Sequence, residues 1–173
     1  MTFTSAPDKR VDIAVEACTA TGRSLVVIGE GEQEKRLKRT AGPSVRFLGH
    51  QPFSVLKDHL TRCRALLFPG VEDFGIVPIE AMASGRPVIA FDAGGAKETV
   101  SNSDVGLRFP SQSAASLIEA LDEFERREAN FDPLAIRVHS KQFSEAIFRS
   151  RFEEVVRRSF ARCRAGGAEA VSP

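Results

Sequence analysis

The chain has 173 residues, 42% of them hydrophobic, which is enough for one domain with a substantial core. Its 24 basic and 23 acidic residues nearly balance, so no overall field favours nucleic acid as the main partner. Three widely spaced cysteines argue against a zinc site or a disulfide framework, and no apolar stretch reaches the roughly 20 residues of a membrane span, so a cytoplasmic protein is expected.

Short apolar runs alternate with amphipathic segments over residues 11–109. Helical spacing predicts helices at 11–20, 32–42, 53–63, 76–85 and 95–102. The apolar runs between them predict strands at 24–29, 45–49, 65–70, 87–91 and 105–109. Strands that are apolar on both faces fit a parallel sheet covered by helices, so we predict an α/β fold with a doubly wound parallel sheet.

The pattern changes after Ser111, where three amphipathic segments follow with no strand between them. Helices are predicted at 113–128, 132–140 and 144–163, within one domain of residues 1–165, and residues 166–173 are predicted to form a disordered tail. The last helix carries a stripe of apolar side chains among many arginines. A helix docked on a core is the favoured interpretation, and a peripheral contact with a membrane surface is the alternative.

Ligands of open parallel sheets bind beyond the carboxyl ends of the strands, so the turns that follow the strands are the candidate site. Gly29 and Gly31 in "GEGEQ" would let backbone N–H groups approach a phosphate or a sugar. The third glycine of a dinucleotide fingerprint is missing there, which argues against an NAD-binding domain. In "PGVEDFGIV", Gly75 and Ile76 begin a helix whose N-terminus predicts an anion site. "DAGGAKE" again places two glycines at a helix start.

Two glutamates, Glu72 and Glu80, flank the helix start at Ile76. Carboxylates accept hydrogen bonds from hydroxyl groups, and a helix N-terminus binds phosphate. A ligand with a diphosphate in the middle and a polyol at each end would use all three features. The pattern therefore favours a nucleoside diphosphate sugar over the alternative that both glutamates are solvated surface charges.

The segment "EDFGIVPIEAMASGRPVIAFDAGGAKETV" resembles the donor-site signature of glycosyltransferase family 4, whose members are retaining enzymes with the GT-B fold. "VVIGEGEQEKRLKRTAGPSVRFLGH" is similar to the segment that precedes this signature in the family. The closing "FDPLAIRVHSKQFSEAIFRSRF" is similar to the C-terminal helices of the bacterial mannosyltransferase branch. The resemblance implies a Rossmann-like, nucleotide-sugar-binding domain.

The resemblance also implies roles for particular residues. Glu72 would face the hydroxyls of the donor sugar, and Glu80 would bind the ribose hydroxyls. The sugar and phosphate would be held by the backbone amides of Phe74, Gly75, Ile76 and Val77. Lys9 in "PDKRVD" matches the lysine of the family's basic pair, whereas Thr4 or a neighbour stands where the family has the arginine.

In the implied mechanism, Glu72 positions the sugar and Lys9 stabilises the departing diphosphate, so these two residues are the catalytic candidates. His50 would lie near the base, although a lone histidine is more often a surface residue. No metal or cofactor is expected.

The expected function is donor binding, with GDP-mannose favoured, in an enzyme that transfers a hexose to a glycan or lipid-linked acceptor. GT-B enzymes place an acceptor-binding domain first, and the resemblance implies that this chain lacks it. Alternatives are a non-catalytic nucleotide-sugar-binding module that works with a separate partner chain, and a flavodoxin-like or NAD-binding domain.

Overall fold

A computed structural model describes residues 9–168 of the chain, with side chains as far as Arg164. The strands are β1 Leu25–Val27, β2 Val45–Phe47, β3 Leu66–Phe68, β4 Val88–Phe91 and β5 Gly106–Phe109. The helices are α1 Val11–Thr21, α2 Glu34–Thr40, α3 Phe53–Arg62, α4 Ile76–Ala83, α5 Ala96–Thr99, α6 Ala114–Arg127, α7 Pro133–Ser140 and α8 Glu145–Ala168. The predicted alternation of helices and strands, and with it the α/β class, is confirmed.

All strand pairing among the described residues is parallel. β1 pairs with β2, and β3, β4 and β5 pair in that order, so the strands form two sheets. β3 is buried along its whole length, as its uninterrupted apolar run predicts. β2 is less buried than β1, its partner in the part of the chain described, and Arg46 is exposed.

The core lies between the sheets and the helices that cover them. Leu66, Val88 and Ile89 of the central strands are fully buried, and α1 and α6 pack against each other. In α6, Leu117, Leu121 and Phe124 recur at helical spacing and are buried, which is worth roughly 1.5–3 kcal/mol for each side chain. The helix begins where the Ser113 side chain accepts a hydrogen bond from the Ser116 N–H.

Of the described residues, 9–140 form one compact unit, and 141–168 form a second unit. The second unit consists of a 3₁₀ turn, Lys141–Phe143, and α8. Within α8, the rings of Phe148 and Phe152 stack with centroids 5.9 Å apart, and both side chains are exposed. Of the predicted tail, residues 169–173 lie outside the described residues, and α8 includes its first positions.

Between residues 9 and 168, none of the helices combines the length and the apolar character that crossing a membrane would require.

Candidate functional site

A cleft of about 880 Å³ opens beyond the carboxyl ends of β1, β2 and β3 in the first unit. It lies where the parallel topology predicts a ligand site. The cleft is lined by eight of the predicted site residues: Lys9, Gly29, His50, Glu72, Phe74, Gly75, Ile76 and Val77. Glu30 also lines it, and the sequence reasoning did not single that carboxylate out.

Glu72 lies in the loop between β3 and α4, and its carboxylate forms an ion pair with the Lys9 ammonium group. The side chains of Lys9 and Glu72 are 23% and 26% exposed, respectively, so both are accessible from the cleft. The structure thus brings together the two residues predicted to be catalytic, although they are 63 positions apart in the sequence. Position 4, where the predicted arginine partner would stand, lies outside the described residues.

The loop that carries Glu72 is fixed by the turn after β4. Gly95 donates its N–H to the Glu72 carbonyl over 2.7 Å. A methyl group at Gly95 would lie 2.8 Å from the carbonyl carbon of Asp73 and 2.8 Å from Phe74 Cα, so only glycine allows this approach. The helix start predicted at these glycines is confirmed, since α5 begins at Ala96, although the helix has only four residues. The glycines also allow the Glu72 loop to pack closely.

The N-terminus of α4 faces the cleft. Gly75 precedes the helix with φ 79°, a left-handed conformation that favours glycine, and no side chain within the described part of the chain caps the helix. Pro78 in the first turn has no N–H to leave unpaired. The amides at Ile76 and Val77 and a partial positive charge of about half a unit therefore remain to attract an anion.

Glu80 follows Ile76 by one helical turn and so lies on the same face of α4 as the residues that line the cleft. It is not itself a lining residue. Its side chain is half-buried, and burial raises the pKa of the carboxyl group. Among residues 9–164, no hydrogen bond or ion pair reaches this carboxylate. The carboxylate is therefore able to accept hydrogen bonds from other groups.

The glycine-rich turn after β1 has a different arrangement from the predicted one. Gly29 lines the cleft, but its N–H donates to the Gly49 carbonyl over 2.8 Å, so Gly29 offers space and its amide is already engaged. Gly31 does not line the cleft, and its carbonyl accepts from the Glu34 N–H. Glu30 accepts from the His50 N–H over 3.2 Å, which joins the turns after β1 and β2.

Metal chemistry finds no ready ligand set here. Across the described residues, no group of three or more His, Cys, Asp or Glu side chains is placed to hold a metal ion. Among the residues that the structure describes, the positive groups at the cleft are the Lys9 ammonium and the N-terminus of α4.

Parallel strands, covering helices and a cleft beyond the carboxyl ends of the strands define an open α/β domain. Residues 5–140 match the family described as "Glycosyl transferases group 1", and the chain therefore belongs to that family.

Several known proteins are similar to this chain. Glycogen synthase of Mycobacterium tuberculosis is 33% identical over 109 residues, which are 60% of this chain and 26% of that protein. A GDP-mannose-dependent alpha-mannosyltransferase of the same species is 33% identical over 138 residues, 79% of this chain and 33% of that protein. Anabaena HepE, solved in complex with UDP-glucose, superposes with a TM-score of 0.77 and 22% identity, over 91% of this chain and 48% of that chain.

The last of these similarities shows the fold, which is that of GT-B glycosyltransferases. The chain spans between 26% and 48% of the length of these three proteins.

Proposed function

We propose that this chain is the donor-binding part of a retaining glycosyltransferase of family 4. The single observation that carries the proposal is that the α4 N-terminus faces the cleft between the Glu72–Lys9 ion pair, which lines it, and Glu80, which lies one helical turn further along α4. A nucleoside diphosphate sugar has hydroxyl groups at both ends and negative charge between them, which matches this order of groups.

In this proposal, the two glutamates bind opposite ends of the donor. Glu80 accepts hydrogen bonds from the ribose hydroxyls, which would satisfy a carboxylate that has no partner among the described residues. Glu72 accepts hydrogen bonds from the hydroxyls of the sugar. The amides at the start of α4 hold the diphosphate between them, beside the Lys9 ammonium.

The reaction breaks the bond between the anomeric carbon and the diphosphate oxygen, and the oxygen of an acceptor hydroxyl forms the new bond on the same face of the sugar. The proton of that hydroxyl passes to the departing diphosphate. Negative charge grows on the departing diphosphate, where Lys9 and the positive end of α4 stabilise it. Positive charge grows on the sugar ring, and Glu72 orients that ring. Glu72 is assigned to positioning the sugar, because its carboxylate is shared with Lys9.

GDP-mannose is the proposed donor, and a glycan or a lipid-linked glycan is the proposed acceptor. The similarity to a mannosyltransferase described as GDP-mannose-dependent, over 79% of this chain, supports the choice of base and sugar. Acceptor binding is assigned to a second domain, as in GT-B enzymes generally. A module that binds the donor without turnover is the alternative, and addition of an acceptor domain distinguishes the two.

Isothermal titration of the 173-residue chain with GDP, UDP and ADP, each with and without EDTA, tests the proposal. We expect GDP to bind most tightly and EDTA to leave its affinity unchanged, since the positive groups at the cleft are a lysine and a helix N-terminus. Loss of GDP binding in EDTA would contradict the metal-free site. Failure of all three nucleotides to bind would overturn the proposed function.

A further inference from the structure

Arg10, the residue after Lys9, has an unusual backbone conformation. Its φ is 50°, and it is the one residue other than glycine with a positive φ between residues 9 and 168. A residue with a Cβ atom in the left-handed region is strained, and such strain persists only where surrounding contacts enforce it. Contacts made by Arg10 must therefore hold this backbone conformation in place.

The Arg10 guanidinium is held by two partners. Its Nε and Nη2 donate to the Asp12 carboxylate over 3.1 Å and 3.2 Å. Its Nη1 donates to Gln112 Oε1 over 3.0 Å, and Gln112 is 102 positions away, in the segment between β5 and α6. The Asp12 contact is local, whereas the Gln112 contact joins the start of α1 to the segment that follows β5.

Gln112 uses the other end of its amide group as well. Its Nε2 donates to the carbonyl of Pro69 over 2.9 Å, immediately after β3 and three positions before Glu72. A closed ring results: Lys9 continues into Arg10, Arg10 donates to Gln112, Gln112 donates to Pro69, and the chain from Pro69 leads to Glu72, which pairs with Lys9.

We propose that Arg10 and Gln112 are positioning residues that hold Lys9 at the point where the diphosphate binds. The inference rests on the proposed function, because it gives the Lys9 ammonium that ligand. Both groups act through Lys9 and the start of the Glu72 loop. The left-handed backbone at Arg10 turns the chain so that Lys9 faces the cleft while Arg10 faces Gln112.

The test compares the affinities of GDP and GMP, because only GDP carries the second phosphate that Lys9 would contact. In Gln112→Ala we expect the GDP affinity to fall by about 3- to 10-fold and the GMP affinity to change by less than about 2-fold. Gln33→Ala, which removes an exposed side-chain contact to Arg36, is the matched control and should change neither affinity.

A double-mutant cycle with Lys9→Ala makes the test independent of general damage to the fold. If Gln112 acts through Lys9, adding Gln112→Ala to Lys9→Ala causes no further loss of GDP affinity. The inference would be overturned if Gln112→Ala lowered the GDP affinity equally with and without the Lys9 side chain. It would also be overturned if the ratio of GDP affinity to GMP affinity were the same in Gln112→Ala and in wild type.

Two substitutions at Arg10 separate its backbone from its side chain. Arg10→Gly and Arg10→Ala both remove the guanidinium, so both should lower the ratio of GDP affinity to GMP affinity by the same factor. Only glycine relieves the strain of the left-handed backbone, so Arg10→Gly should have the higher melting temperature of the two. If wild type binds neither GDP nor UDP, the proposed function fails and the positioning role fails with it. If wild type and Lys9→Ala behave as expected but Gln112→Ala matches Gln33→Ala, only the positioning role fails.

Discussion

The two ends of the sheets in the first unit treat their charges differently. At the amino ends of β1 and β3 lies a second cavity of about 460 Å³, lined in part by Arg23, Arg64 and Glu125. Arg23 donates to Asp122 over 2.5 Å and to Glu125 over 2.7 Å, and Arg64 pairs with Glu128. Hydrogen bonds from these arginines lower the pKa of Glu125 and of Glu128, so the charges at this end are compensated within the chain.

At the carboxyl ends, Glu72 pairs with Lys9, but the side chain of Glu80 on α4 has no partner among residues 9–164, and burial raises the pKa of its carboxyl group. At the amino end the ion pairs hold α6 against the neighbouring segments, whereas in the proposed function the carboxyl end keeps Glu80 for a ligand. The two thiols at the amino end also add no charge there, because burial raises the pKa of Cys18 to about 11 and raises the pKa of Cys63.

The largest expected effect is the loss of transfer in Glu72→Ala. Because the acceptor must be brought to the donor in a defined geometry, the 173-residue chain alone should bind the donor and transfer nothing. When an acceptor domain is supplied, the wild-type chain should transfer mannose and Glu72→Ala should not, while plain GDP binds both with similar affinity. Product formation and GDP titration measure the two quantities, and Glu16→Ala on the exposed side of α1 is the control. Robust transfer by the isolated chain would contradict this division of roles.

Gly95→Ala should disrupt the Glu72 loop from behind. The added methyl group meets backbone atoms of Asp73 and Phe74, which cannot move aside as a flexible side chain can. Overpacking of this kind costs about 1–3 kcal/mol in the free energy of unfolding, and we expect donor binding to weaken as well. Chemical denaturation and titration with GDP-mannose measure both effects.

Gly22→Ala is the matched control for this prediction. A methyl group there has no neighbour within 4 Å, but the φ of 68° strains the new residue, so stability should fall with donor affinity unchanged. Equal donor affinities in Gly95→Ala and wild type would show that the turn after β4 does not fix the loop.

Glu80→Gln should separate binding from stability. Loss of a charge-assisted hydrogen bond to the ribose should weaken GDP binding by roughly 1–3 kcal/mol. The stability of the ligand-free chain should rise or stay the same. An acid whose pKa is raised on folding binds more protons in the folded state, so its ionisation destabilises the fold as the pH rises from the ordinary pKa through the folded one.

Melting temperatures between pH 4 and pH 8 check the stability part of this prediction. The advantage of Glu80→Gln over wild type should grow with pH in that window and then level off. An unchanged GDP affinity in Glu80→Gln would place Glu80 outside the site. A variant that is less stable at neutral pH would indicate that the carboxylate has a structural partner.

The fold was predictable from the sequence because its strands are nearly continuous apolar runs, as in β3, and each run is followed by glycine, proline or a helical pattern. The meeting of Lys9 and Glu72 was not predictable from spacing, since 63 positions separate them and only the topology joins them. The helix start at Gly94 and Gly95 was predictable, but the close approach of the Glu72 loop to these glycines was not, because that loop follows another strand. The hydrogen bond from the Gly29 N–H was also not predictable, because its acceptor, the Gly49 carbonyl, lies in the turn after another strand.

The smallest expected effect is that of Glu125→Gln, at the opposite end of the first unit from the donor cleft. Arg23 retains Asp122 as a partner, and these ion pairs lie near the surface, so the free energy of unfolding should fall by less than about 1 kcal/mol. An acid whose pKa is lowered on folding stabilises the fold above its ordinary pKa and loses that contribution as the pH falls through the folded one. The difference in unfolding free energy between the variant and wild type should therefore shrink in acid and in high salt.

The GDP affinity of Glu125→Gln should match that of wild type, since Glu125 lines the other cavity. Thermal melts at low and high salt, with a parallel GDP titration, measure both quantities. A loss of GDP affinity in Glu125→Gln would mean that the charges at the amino end also serve the donor site, and the contrast between the two ends would not hold.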